Sequence, residues 1–236
     1  MSHPKQIIAE GNHRGWPLPQ TKWSYYQEWN QALFFHWPIS PEKLRPLVPQ
    51  ALALDTTEGK AWVSLVPFTM ENARPRGLPA VRMVSTFHEV NVRTYVVRNG
   101  IPGVYFFSLE AGNRLANFVA RNLSGMPYRF ANLRRKDNLY LANHTARKSS
   151  LSIQYEVGDP MEGSPLDLWL TERYSVHQEA FGTLKTFEVL HRPWPLHHLH
   201  VSNFQLDYPE FSELLQGPPA CMAYSPGVPV VAWPPY

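Results

Sequence analysis

Residues 83–97 read MVSTFHEVNVRTYVV. A strand sends successive side chains to opposite faces. Read that way, Val84, Thr86, His88, Val90, Val92, Thr94 and Val96 form a packing face. Glu89, Asn91, Arg93 and Tyr95 project together from the other, between apolar Met83, Phe87 and Val97. Two readings fit this polar row. It lines a pocket, where burial would shift the glutamate's pKa. Or it is a solvated face, with Glu89 and Arg93 as a surface pair.

Working outward, short apolar or alternating runs recur at 32–37, 60–70, 103–110, 138–146, 151–157, 168–176, 184–191 and 228–233. Their lengths and spacing predict strands joined by tight turns. Helix signals are few. Ser40-Pro41-Glu42 starts a short helix that Pro46 interrupts. Leu115, Phe118, Val119 and Leu123 give 113–123 a helical period, with Gly125 as its stop. A third helix is predicted at 207–215, from its Asp-x-Pro start to Gly217. The fold class is therefore α+β, mostly antiparallel β, with a few short helices. A polar, proline-punctuated arm over 1–20 precedes a single domain over 21–236.

Composition agrees. In 236 residues, 44% are apolar and 17% charged, which excludes an intrinsically disordered chain. The 23 prolines disfavour a helical bundle and suit a loop-rich β protein. A net charge of +3 is no nucleic-acid footprint. A single cysteine, Cys221, excludes an intramolecular disulfide and a cysteine-rich metal site. No run is long enough to span a membrane, and the N-terminus lacks a signal peptide's apolar region. The expectation is a cytoplasmic protein without nucleic-acid or membrane partners.

The segments HWPISPEKLRPLVPQALALDT (36–56), FHEVNVRTYVVRNGIPGVYFFSLEA (87–111), ARNLSGMPYRFANL (120–133), LTERYSVH (170–177) and HRPWPL (191–196) resemble the YqjF-like bacterial family of unknown function, over nearly the whole chain. That family is in turn remotely similar to acetoacetate decarboxylase, over about 34–133. LRPLVPQALALD resembles the enzyme's Leu-Arg-x-x-Val-Pro-x-x-Leu segment. FHE resembles its strand ending in an active-site glutamate, which falls on Glu89. ARNLSGMPYR resembles its Gly-Arg-Glu…Pro-Lys-Lys segment, with Arg121 in place of the arginine. The resemblance implies an acetoacetate decarboxylase-like β-barrel with an interior pocket. It also allows a homo-oligomer, although no interface is legible.

The departure from that pattern is chemical. The decarboxylase forms an imine with the first lysine of its pair, activated by the second. Here those positions hold Tyr128 and Arg129. Tyrosine forms no imine and arginine stays protonated. None of the seven lysines, at 5, 22, 43, 60, 136, 148 and 185, falls in the motif. Schiff-base decarboxylation is not expected. What the resemblance leaves is a chamber for a small keto acid or carboxylate. In it Glu89 would move a proton and Tyr128 would hydrogen-bond to a developing negative oxygen. Arg121, Arg129, Arg93 and His36 would hold the ligand. Bland readings stand beside these: a core tyrosine, arginines on helix-end carbonyls, a buried histidine with a partner, an Arg93–Glu89 structural pair. At the level of the whole protein, the alternatives are a non-catalytic ligand-binding or sensing domain, or an interaction scaffold using its basic surface.

Other signals carry less. His197, His198 and His200 lack the spacing of a metal motif. No P-loop, dinucleotide fingerprint or nucleophile elbow occurs, and no cofactor is expected. Arg134-Arg135-Lys136 is predicted to be a solvated turn. His88 should point away from Glu89.

Overall fold

The computed structural model describes residues 4–236, the side chain of Leu123 excepted. Among the described residues, thirteen strands run along the chain. They are β1 (Tyr25–Ile39), β2 (Ala53–Leu54), β3 (Ala61–Pro75), β4 (Phe87–Arg98), β5 (Ile101–Ala111), β6 (Tyr128–Phe130) and β7 (Asn132–Lys136), then β8 (Leu139–His144), β9 (Ser149–Pro160), β10 (Ser175–Ala180), β11 (Thr183–His191), β12 (His197–Asp207) and β13 (Cys221–Ala232). Five short helices punctuate them: α1 (Pro4–Ala9), α2 (Pro41–Leu44), α3 (Arg82–Ser85), α4 (Arg114–Ser124) and α5 (Pro165–Thr171).

Seven strands close a ring. β1, β3, β4, β5, β10, β11 and β13 pair in that order, and β13 returns to β1. Every seam is antiparallel except β5–β10, which is parallel through Val104 and Val176. Two tight turns set the hairpins. Asn99-Gly100 joins β4 to β5, and Phe181-Gly182 joins β10 to β11, all four residues at positive φ. Such left-handed pairs match the right-handed twist of the strands they connect. β12, β9, β8 and β7 continue from β13 as a second sheet, laid over the outside of β1, β3 and β4.

Strand alternation divides the core. Val63 and Leu65 of β3, with Val90 and Val92 of β4, face the second sheet and meet Tyr140, Leu151 and Ile153. Their neighbours Trp62, Val66 and Phe68 turn into the ring, as does Tyr95. α5 delivers Leu170 and Trp169 onto Trp62 and Tyr95. Trp194 and Leu196, after β11, pack against Phe34 and Phe68. No described helix is long and apolar enough to cross a membrane.

The mostly antiparallel, barrel-like architecture matches the sequence expectation, and four local readings need correction. The run at 168–176 is the end of α5 followed by β10, not one strand. The helix predicted at 207–215 is the end of β12 and a single 3-10 turn, Pro209–Phe211. Residues 83–85 belong to the helical turn α3, so the strand begins at Phe87. Arg134–Lys136 forms part of edge strand β7 rather than a solvated turn, and Arg135 packs inward over the Tyr140 ring, donating to the Gln31 carbonyl at 2.7 Å. Beyond residues 1–3, which lie outside the described residues, the N-terminal arm docks on the ring. Ile7 is fully buried against Tyr26, Leu190 and Val231.

Candidate functional site

β4 places the site. Glu89, Asn91, Arg93 and Tyr95 do share one face, and it points into the ring. Across the β3–β4 ladder Glu89, Asn91 and Arg93 stand opposite Phe68, Val66 and Ser64. Glu89 and Asn91 are 2% and 4% exposed, so the row is no solvated surface. Glu89 and Arg93 form no ion pair among the described residues.

Glu89 anchors one end. The Tyr128 hydroxyl donates to Glu89 Oε2 at 3.2 Å. The sequence brings them together through α4. Asn113 caps its start by accepting from the N–H groups of Leu115 and Ala116. Gly125, at φ 69°, ends it in the left-handed conformation that glycine adopts without a Cβ penalty. The chain then enters β6, whose Tyr128 pairs with Leu109 of β5 beside β4. Burial pushes the Glu89 carboxyl up to about 8, against the opposing hydrogen bonds of Tyr128 and Asn91. Burial and the neighbouring Glu89 hold the Tyr128 hydroxyl well above its ordinary value. At neutral pH Glu89 is mostly a neutral acid inside the protein.

The other end is polar and basic. His36 of β1 is buried, and its Nδ1 lies 2.7 Å from Ser64 Oγ. Ser64 Oγ lies 2.6 Å from the Tyr95 hydroxyl, which donates to the Leu170 carbonyl at 2.9 Å. That histidine is neutral: burial, then the charge of Arg93, pushes it down to about 3. The bland reading of a buried, partnered histidine therefore describes His36. Arg93 itself is half-buried, with Nη2 at 3.4 Å from the Leu170 carbonyl. Arg173, just past α5, is buried and pairs with Asp55 at 2.5 Å.

Several polar atoms along this interior have no protein partner: Asn91 Oδ1, Arg93 Nε, Arg173 Nη2 and Trp62 Nε1. Native proteins rarely leave such buried atoms unpaired unless water, an ion or a ligand meets them.

Two expected ligands lie elsewhere. Arg121 is exposed in the last turn of α4, and no described hydrogen bond or ion pair links it to Glu89. Arg129 follows Tyr128 by one residue, so alternation turns it outward. It faces a second acidic group, with its guanidinium 3.9 Å from Glu210. Its charge, with His144, also bears on buried Glu110, whose carboxyl burial pushes up and the Tyr208 hydroxyl bonds at 2.9 Å. His88 points away from Glu89 and meets Thr69 at 3.1 Å. His197 bonds to the Gly158 carbonyl, and no described cluster of three or more His, Cys, Asp or Glu is placed to hold a metal ion. All seven lysines are exposed or half-buried. Two concavities, of about 480 and 380 Å³, open elsewhere, at Trp23 and Arg76 and along Arg134 and Gln205.

Sequence reading missed Ser64 and Arg173. Ser64 sits in an apolar run, and only the strand register reveals that it faces Arg93. Arg173 was hidden by reading 168–176 as a strand.

A closed, mostly antiparallel ring with a few short helices is also the fold of solved acetoacetate decarboxylase-like proteins. The chain superposes on the crystal structure of acetoacetate decarboxylase from Legionella pneumophila with a TM-score of 0.60, at 14% identity, covering 99% of this chain and 96% of that one. It superposes equally well, at 10% identity, on the enduracididine biosynthesis enzyme MppR complexed with pyruvate, covering 96% and 93%. The chain belongs to the DUF2071 family, described as an uncharacterized conserved protein, whose model matches residues 26–229. The uncharacterized protein YqjF of Bacillus subtilis (strain 168) is 38% identical over 187 residues, 76% of this chain and 77% of that protein.

Proposed function

We propose that the ring interior binds a small organic acid, a keto acid or other carboxylate, and performs acid/base chemistry on it without an imine. The observation that carries this reading is the inward-facing, buried Glu89 bonded to Tyr128. A carboxyl held up to about 8 keeps its proton at neutral pH and can deliver it to a carbanion or enolate. Its conjugate base can take a proton from carbon next to a carbonyl. The Tyr128 hydroxyl, now spent on Glu89, donates to the developing oxyanion once that carboxyl is engaged. The lack of any buried lysine fits chemistry without a Schiff base. The pyruvate named with MppR supports the ligand class, as a likeness of fold.

The test is solvent deuterium exchange into oxo acids, followed by proton NMR with wild-type protein and Glu89→Gln. Wild-type should exchange protons beside the carbonyl, and the variant should lose about 100-fold or more of that rate. Tight binding with no exchange in the wild type would assign the interior to ligand sensing instead.

A further inference from the structure

The basic end of the interior holds more positive charge than the fold neutralises. Arg93 and Arg173 both lean on the Tyr95 ring, their Cζ atoms 5.9 and 4.9 Å from its centroid. Phe34 backs the first at 6.0 Å, and Trp169 backs the second at 4.2 Å. One carboxylate serves the two: Asp55 pairs with Arg173, and among the described residues none pairs with Arg93. Arg93 is half-buried, and its buried Nε is left without an acceptor, which is costly for a charged donor.

Capping of α5 accounts for part of the arrangement. Arg173 Nε donates to the Trp169 carbonyl at 2.7 Å, and Arg93 Nη2 reaches the Leu170 carbonyl. Cations are favoured at a helix C-terminus. Those contacts consume one nitrogen of each guanidinium. Arg93 Nε and Arg173 Nη2 remain buried and unbonded, and Arg173 is only 8% exposed. Guanidinium donors backed by aromatic faces are the chemistry that receives a carboxylate.

We propose that Arg93 and Arg173 form the seat for the carboxylate head of the interior ligand, and that this ligand is an elongated acid whose second oxygen function reaches Glu89. This rests on the interior-binding reading above. Glu89 and Arg93 are four residues apart on one strand, so their Cα atoms stand roughly 13 Å apart. Asn91, with its free Oδ1, lies between them. An acid touching both ends needs several bonds between its head and its carbonyl. Two- and three-carbon acids fill one end only.

The experiment is calorimetric titration of the full chain with 5-oxohexanoate and with its methyl ester, in wild-type protein and in Arg93→Gln. The acid should bind at least about tenfold tighter than the ester, and Arg93→Gln should bring the two within about twofold. Equal binding of acid and ester by the wild type would overturn the seat and leave the interior reading standing. So would a preference that survives in Arg93→Gln. Binding of neither compound would overturn both. Should Arg93→Gln fail to fold, acetate added to 15N-labelled wild-type protein decides. The Nε resonances of Arg93 and Arg173 should shift together, and their standing still would reject the seat.

Discussion

Glu89 is ionised in the unfolded chain above its ordinary value of 4.5 and stays protonated in the folded protein up to about 8. Between those values the folded protein binds one more proton than the unfolded chain. Stability therefore falls as pH rises across that window, by up to about 1.4 kcal/mol per pH unit from this group. Below the window both states are protonated, and above it both are ionised, so the group adds no slope. Glu89→Gln should flatten this segment of the stability profile. Urea midpoints collected at pH values across the window measure it; parallel profiles for wild type and variant would mean that other groups own the slope. The residue was legible because a period of two in FHEVNVRTY sorts Glu89, Asn91, Arg93 and Tyr95 onto one face without any structure. Which way that face points was not legible. Val90 and Val92 mark a buried face equally well whether the polar row meets water or a ring interior. Only the closure of β13 on β1 decides it.

At the scale of elements, α5 shows how local signals compete. The stretch LDLWLTERYSVH alternates well enough to pass for a strand, yet its start carries a capping box. Ser164 accepts from the Asp167 N–H while the Asp167 carboxylate accepts from the Ser164 N–H, and Pro165 occupies the first turn. The Ser-Pro-x-Asp order was visible in the sequence and outranks the alternation. The element matters because its last carbonyls receive Tyr95, Arg93 and Arg173. Ser164→Ala should cost about 1 kcal/mol and raise amide exchange within α5. Hydrogen-exchange mass spectrometry checks it, and unchanged exchange over 165–171 would show that packing of Leu170, not the cap, holds the helix. The failed helix at 207–215 has a different cause. Tyr208 and Phe211 there pack into the layer between ring and second sheet, a long-range demand with no trace in the local pattern.

Across the whole molecule, the two ends of the described chain meet at one buried carboxylate. Glu188 of β11 pairs with Arg14, accepts from Trp16 Nε1 at 3.0 Å and accepts from the Tyr236 hydroxyl at 2.9 Å. Removing one partner of a buried ion pair typically costs about 3–5 kcal/mol. Arg14→Met should lose stability of that order in denaturant unfolding, and a loss under about 1 kcal/mol would mean that water reaches Glu188. The ring has one further consequence, in time rather than space. β1 bonds to β13, with Tyr25 opposite Ala232, so an early strand completes its pairing with a very late one. During synthesis one edge of β1 waits until β13, whose first residue lies 182 positions beyond the last of β1, has emerged. Such distant pairing slows folding and leaves an open strand edge on the nascent chain. For that interval the nascent protein carries an unpaired edge open to misassembly.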